Sequence, residues 1–161
     1  MTTVTIRTIT PADNKTLAAI IRTALAEFKA NKPGTVYFDP TTDNLSEVFT
    51  TPRSVYFVAE ANGVILGGSG IYPTANLPED TCELVKLYLS NAARGKGLGK
   101  LLMQQCIEAA GQMGYKRIYL ESMPELNIAV PMYEKMGFSY LTAPMGNSGH
   151  DGCDIWMIKE L

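Results

Sequence analysis

The stretch LYLSNAARGKGLGKLL, residues 87–102, joins an apolar run to a leucine-rich run with helical spacing, and sets Gly95, Gly97 and Gly99 at alternate positions between them. A glycine-rich link between a strand and a helix can serve either of two purposes. It can permit a sharp turn, because glycine tolerates positive φ. It can also let the free N–H groups and positive dipole end of a helix approach a bulky anion such as a pyrophosphate. Arg94, Lys96 and Lys100 flank the glycines and would add positive charge; Arg94 would either bind the anion or brace the turn. Spacing alone leaves both purposes open. Two familiar phosphate loops do not fit. A Walker A loop needs a hydroxyl residue after its lysine, and GKGLGKLL (95–102) has none. The dinucleotide fingerprint wants G-x-G-x-x-G near the first strand of a βαβ unit, whereas this Gly-x-Gly-x-Gly comes late in the chain.

Outward from the glycines, CELVKLYLS (82–90) is nearly continuously apolar and predicts a central strand. SVYFVAEANGVILGGSGIYP (54–73) predicts a hairpin with Asn62-Gly63 at its turn. VTIRTIT (4–10) alternates as a strand does, and Pro11 ends it. ADNKTLAAIIRTALAEFKA (12–30) predicts a helix with Leu17, Ile20, Ile21, Ala24, Leu25 and Phe28 on one face and Asp13 or Asn14 as its cap. TDNLSEVFT (42–50) predicts a short second helix. After the glycines, 98–114 reads as a helix with Leu98, Leu101, Leu102, Cys106 and Ala109 at helical spacing and Gly114 as its stop. YKRIYLES (115–122) is a strand, IAVPMYEKM (128–136) a short helix closed by Gly137, and FSYL (138–141) and CDIWMIKEL (153–161) are strands around a turn-rich loop. The order predicts one mixed α/β domain over 1–161.

A charged share of 19% and a hydrophobic share of 46% are those of an ordinary globular protein. With 16 acidic and 14 basic residues the net charge is -2, so no global attraction to nucleic acid or an anionic membrane is expected and any anion site must be local. The cysteines are three (Cys82, Cys106, Cys153), cannot all pair, and lack zinc spacing; a reducing, cytoplasmic setting and no metal are expected. Cys82 and Cys153 read as strand core residues rather than nucleophiles. MTTVTIRTIT has no signal-peptide stretch, and no run approaches the roughly 20 apolar residues of a membrane span.

Two segments carry a family resemblance. RGKGLG (94–99) matches the Arg/Gln-x-x-Gly-x-Gly/Ala signature of the GNAT (Gcn5-related) N-acetyltransferases, and AVPMYEKMGF (129–138) resembles that family's Ala-x-x-x-Tyr-x-Lys-x-Gly-Phe segment. The element order matches over almost the whole chain. The resemblance implies the acyl-CoA N-acyltransferase fold: a mixed sheet splayed between the strands at 82–89 and 117–122, with helices on both faces. It implies acetyl-CoA as donor, wedged in the opening. It implies direct transfer, in a ternary complex, to a primary amine of a small molecule or peptide. Relatives that dimerise imply, by analogy, a homodimer.

The same resemblance assigns residues. The CoA pyrophosphate falls on Arg94, Gly95, Lys96, Gly97, Leu98, Gly99 and Lys100, mainly through backbone N–H groups. The pantetheine arm falls on the backbone of Leu87 and Leu89, and Asn127 touches that arm, although it stands six residues before Tyr133 where seven is usual. Pro131 departs from a plain helix and would shift the start of that element. Glu83, eleven residues before Arg94, matches a general base of the histone-acetylating branch; the other reading is a strand glutamate facing solvent or a salt-bridge partner. Glu121 is a second candidate base. Tyr133 matches the tyrosine that faces the CoA sulfur and protonates it, the other reading being a packed core residue. His150 lies on the acceptor side in this fold, in a loop where an exposed histidine is the ordinary finding. Acceptor choice is assigned to segments 25–40, 70–80 and 142–153, where Glu27 and Asp39 would suit a cationic group or simply be solvated. Two rival readings are a CoA-binding regulatory module without activity and an RNA-directed acetyltransferase, the latter disfavoured by the acidic balance.

Overall fold

The computed structural model describes residues 3–126, 129–147 and 152–161. The strands are β1 (Thr5–Thr8), β2 (Val55–Ala61), β3 (Val64–Tyr72), β4 (Thr81–Leu89), β5 (Arg117–Ser122), β6 (Ser139–Leu141) and β7 (Ile155–Glu160). They form a seven-stranded sheet in the order β1-β2-β3-β4-β5-β7-β6. Alternation decides which core each strand feeds. In β2, Phe57 and Ala59 enter one core while Tyr56 and Val58 enter the other. Helices α1 (Asn14–Glu27) and α2 (Leu45–Val48) bring Leu17, Ile21, Leu25 and Leu45 to the Tyr56 side. Helices α3 (Leu98–Gln112) and α4 (Ala129–Lys135) bring Leu102, Met103, Cys106 and Tyr133 to the Phe57 side. The sheet is therefore covered by helices on both faces.

The turn between β2 and β3 has Asn62 and Gly63 both at positive φ, 53° and 76°, the backbone that a tight two-residue hairpin demands. Pro131 lies within α4, one residue after the Val130 N–H that donates to the Leu126 carbonyl at 3.3 Å. The helix expected over 12–30 is shorter. A 3-10 turn at Pro11–Asp13 leads into α1, and Asp13 spends its carboxylate on Arg7 and on the Thr10 N–H, each at 2.8 Å, rather than on capping α1. The strand expected from 153 begins at Ile155, so Cys153 lies in the preceding loop and not in a strand core.

Two features of β4 shape the centre of the sheet. Its parallel pairing with β5 covers only Thr81–Arg117, Cys82–Ile118 and Glu83–Tyr119; beyond that the strands part, β4 running on to Leu89 and β5 to Ser122. Its antiparallel pairing with β3 shifts register: Gly70 faces Val85, but Gly68 faces Tyr88, which leaves one extra residue in β4. The bulge reverses the facing of everything after it. Cys82 and Leu84 enter the α3 side before it, Leu87 and Leu89 enter that same side after it, and Tyr88 turns to the α1 side.

Candidate active site

The glycine loop ends at the N-terminus of α3. Gly95 and Gly97 have φ of 75° and 78°, and a Cβ on either would meet no atom within 4 Å. Glycine is thus required there by the backbone, while its missing side chain leaves the outer surface open. The helical ladder begins with the Leu101 N–H donating to the Gly97 carbonyl at 3.2 Å, so the amides of Leu98, Gly99 and Lys100 precede it. All three residues line a cleft of about 390 Å³ that fills the opening between β4 and β5. Leu87 and Leu89 supply its β4 wall, and Met132 and Tyr133 its α4 wall.

Arg94 lines the cleft and also makes the contacts of a brace. Its guanidinium donates to the Leu89 carbonyl at 3.2 Å, pairs with the Glu27 carboxylate, and lies 4.9 Å from the Phe28 ring centroid. Glu27 is occupied by this pair. Lys100 lines the cleft, whereas Lys96 is exposed and does not.

Tyr133 is buried, with its ring edge-on to Phe138 at 6.0 Å between centroids, and it still borders the cleft. Burial pushes its phenol above the ordinary range, so it keeps its proton at neutral pH.

A smaller recess of about 50 Å³ adjoins the cleft and shares Lys86, Tyr88, Glu121 and Ser122 as walls. Glu83 lines it. This carboxyl is only 4% exposed and accepts a 2.6 Å hydrogen bond from the Thr74 hydroxyl, which excludes a solvent-facing role. Loss of water pushes its pKa up to about 7; nearby Glu121 adds to the rise, while Thr74 and Lys86 oppose it. Glu121 accepts from the Tyr119 hydroxyl at 2.7 Å, and that hydroxyl accepts from the Met145 N–H at 3.1 Å. Tyr119 is the register partner of Glu83. Among the described residues, the buried Ser122 Oγ has no hydrogen-bond partner.

Sequence reasoning singles out neither Lys86, Ser122 nor Thr74. The signal for the bulge is GGSG at 67–70. A Cβ at Gly68 or Gly70 would come within 2.4 or 2.8 Å of the Tyr56 ring. Those glycines let the ring cross β3 so that its hydroxyl reaches the Lys86 carbonyl at 2.8 Å.

The three loops expected to set acceptor choice are pinned together. The Gly152 N–H donates to Gly34 O at 2.9 Å, Asn147 N–H to Ala75 O at 2.7 Å, and Asp154 N–H to Ser122 O at 3.1 Å. Burial pushes the Cys82 and Cys106 thiols up to about 12, so neither offers a thiolate. Asn127, His150 and Asp151 lie outside the described residues. Among the described residues, no three His, Cys, Asp or Glu side chains gather as a metal site, and no helix is long and apolar enough to cross a membrane.

Comparison with known proteins agrees with this geometry. The model of the acetyltransferase (GNAT) family matches residues 18–138, which include the glycine loop, Glu83 and Tyr133. The chain belongs to the GNAT acetyltransferase family. It is similar to the uncharacterized N-acetyltransferase YjgM of Escherichia coli, 41% identical over 96% of this chain and 93% of that protein. Human N-acetyltransferase 8 is 30% identical over 69% of this chain, which spans about half (52%) of that longer protein. Among solved structures, a GNAT acetyltransferase of Staphylococcus aureus superposes with a TM-score of 0.87 at 18% identity, covering 99% of both chains. The PaiA N-acetyltransferase of Thermoplasma acidophilum, solved with coenzyme A, superposes with a TM-score of 0.77 at 20% identity, again over 99% of both chains. As a GNAT enzyme the chain is an acyltransferase dependent on acetyl-CoA.

Proposed function

We propose that this GNAT domain, residues 1–161, transfers an acetyl group from acetyl-CoA directly to a primary amine, with both substrates bound at once. One observation carries the reading. The opening between β4 and β5 has the α3 N-terminus at its mouth, the protonated Tyr133 phenol on one wall, and the buried Glu83 carboxyl in the recess beside it.

The amides of residues 95–100 receive the pyrophosphate, with Lys100 and Lys96 adding charge and Arg94 holding the loop in shape. The β4 edge at Leu87 and Leu89, unpaired toward β5, meets the peptide-like pantetheine arm, and Asn127 is assigned to the same arm by its place before Tyr133. A β4 backbone N–H polarises the thioester carbonyl. Glu83 takes a proton from the entering ammonium, directly or through a water, and frees the nitrogen lone pair. The C–N bond forms as that pair attacks the carbonyl carbon. The C–S bond then breaks, the leaving thiolate takes the proton of Tyr133, and the second proton shed by the new amide nitrogen restores the Tyr133 phenol through solvent. Glu83 and Tyr133, both in place, favour an enzyme over a module that only binds CoA. The free state of the three cysteines supports a reducing, cytoplasmic setting.

Thiol release from acetyl-CoA, measured over amino acids, polyamines and lysyl peptides, tests this reading. Intersecting initial-rate lines and no acetylated protein are expected. Parallel lines with acetyl trapped on the chain would overturn direct transfer, and tight CoA binding with no thiol release for any amine would establish a binding module.

A further inference from the structure

The acceptor recess carries a cation that a plain amine does not need. Glu83 and Glu121 are enough to receive an ammonium group, yet Lys86 stands between their recess and the cleft and lines both. Lys86 has a φ of 54°, a left-handed backbone that is unfavourable for a non-glycine residue. The bulge that imposes it is held from behind by Tyr56. Among the described residues the Lys86 ammonium makes no ion pair within 4 Å; Asp39 and Glu83 favour its charge only from a distance. Partial burial without a counter-ion lowers its pKa.

A lysine without an ion-pair partner among the described residues, lining the same recess as two carboxylates, forms a template for a molecule carrying both signs of charge. We propose that the acceptor is a small zwitterion of the α-amino-acid class, its carboxylate held by Lys86 and its amine presented to Glu83. This rests on the acetyl-transfer reading above and names the substrate class of that same site. Size points the same way: the recess measures about 50 Å³, and its lining residues Thr35 and Cys153 adjoin the Gly152–Gly34 hydrogen bond that ties their two loops together. A free small molecule fits such a space, and a folded protein surface does not. A polyamine offers nothing to Lys86. A carboxylate arriving at Lys86 replaces the solvation the lysine has lost.

The test is thiol release from acetyl-CoA with matched pairs of free amino acids and their carboxamides, beside a linear polyamine and a lysyl peptide. At least one amino acid is expected to exceed its carboxamide tenfold or more in kcat/KM. The carboxamide's amine sheds its proton more readily, so amine ionisation cannot produce that preference. K86Q is expected to bring the acid-to-amide ratio close to one, chiefly through KM for the acid, while K86R keeps most of it. Carboxamides equal to acids, or a polyamine or peptide as the best acceptor, would overturn the zwitterion and leave acetyl transfer standing. A second readout needs no turnover. With CoA bound, an N-acetyl amino acid is expected to raise the melting temperature of wild type more than its N-acetyl carboxamide does, and to lose that advantage in K86Q. Equal shifts in wild type would overturn the proposal even if no acceptor in the panel turned over. Absence of thiol release with every acceptor would sink the acetyl-transfer reading separately.

Discussion

The Tyr56 hydroxyl donates a 2.8 Å hydrogen bond to the main-chain carbonyl of Lys86. The bond ties a fully buried ring on β2 to the bulge of β4, across a β3 stripped of side chains at Gly68 and Gly70. Tyr56→Phe keeps the ring and removes only the donor. The stranded carbonyl is expected to cost about 1–3 kcal/mol, read by denaturant unfolding. KM for the acceptor should rise more than KM for acetyl-CoA, because the bulge and not the phosphate loop loses its support. Equal changes in both constants would mean that Tyr56 supports the sheet in general.

Glu83 has its carboxyl pushed up to about 7. A general base acts only when ionised, so wild-type kcat/KM is expected to climb as pH rises through about 7 and then level. Glu83→Gln should lose most activity near neutral pH and recover part of it at high pH, where the amine deprotonates unaided.

The same shift bears on stability, with a sign opposite to that of a salt-bridged carboxylate. The folded state binds the Glu83 proton more tightly than the unfolded chain does, so the group penalises folding progressively as pH rises from about 4.5 to about 7. Relative to Glu83→Gln, wild type should lose about 3 kcal/mol of stability between pH 4 and pH 8. Denaturant melts across that range check it; a constant difference would mean that the carboxyl titrates normally.

Tyr133→Phe deletes one hydroxyl and keeps the edge-on contact with Phe138. Loss of a general acid lowers rate by roughly 10²–10⁴. The defect is expected in both kcat and kcat/KM with acetyl-CoA affinity almost unchanged, because the interaction strengthens only as charge builds on sulfur. Unaltered kcat, with acyl transfer shown to limit the rate, would return Tyr133 to a packing role.

Gly97→Glu places a carboxylate beside the α3 amides proposed to bind the pyrophosphate, at a backbone φ of 78°. Acetyl-CoA is expected to raise the melting temperature of wild type and to leave that of the variant unmoved. A folded variant that binds acetyl-CoA normally would place the phosphate site elsewhere.

Much of this arrangement could be read from the chain because it depends on local pattern. Alternation in 55–61 and the Asn62-Gly63 pair dictate a hairpin wherever they occur, and the two motif segments stand at spacings that single out Glu83 and Tyr133. What was illegible depends on partners far apart in the chain. Arg94 braces because Glu27, 67 residues earlier, reaches it. Glu83 is buried under Thr74, whose loop has no periodic pattern. The β4 bulge escapes an apolar-run reading altogether, since Leu84, Leu87 and Leu89 look continuous whichever face each one takes. Its trace is GGSG on the neighbouring strand, and only Tyr56 gives those glycines a purpose.

The parting of β4 from β5 beyond Glu83 and Tyr119 leaves a bare strand margin inside the molecule. Bare margins at the rim of a sheet recruit other polypeptides and seed aggregation. This one is recessed between helical layers, where a thin thioester-bearing arm can enter and another chain cannot. With the pantetheine arm placed there as proposed, the donor would act as a surrogate strand as well as a reactant. Main-chain amides of 84–89 that face the gap should exchange with deuterated solvent readily in the empty protein and slowly once the gap is filled, while those of β2 stay protected throughout. The rigidity of the sheet's centre would follow the supply of acetyl-CoA.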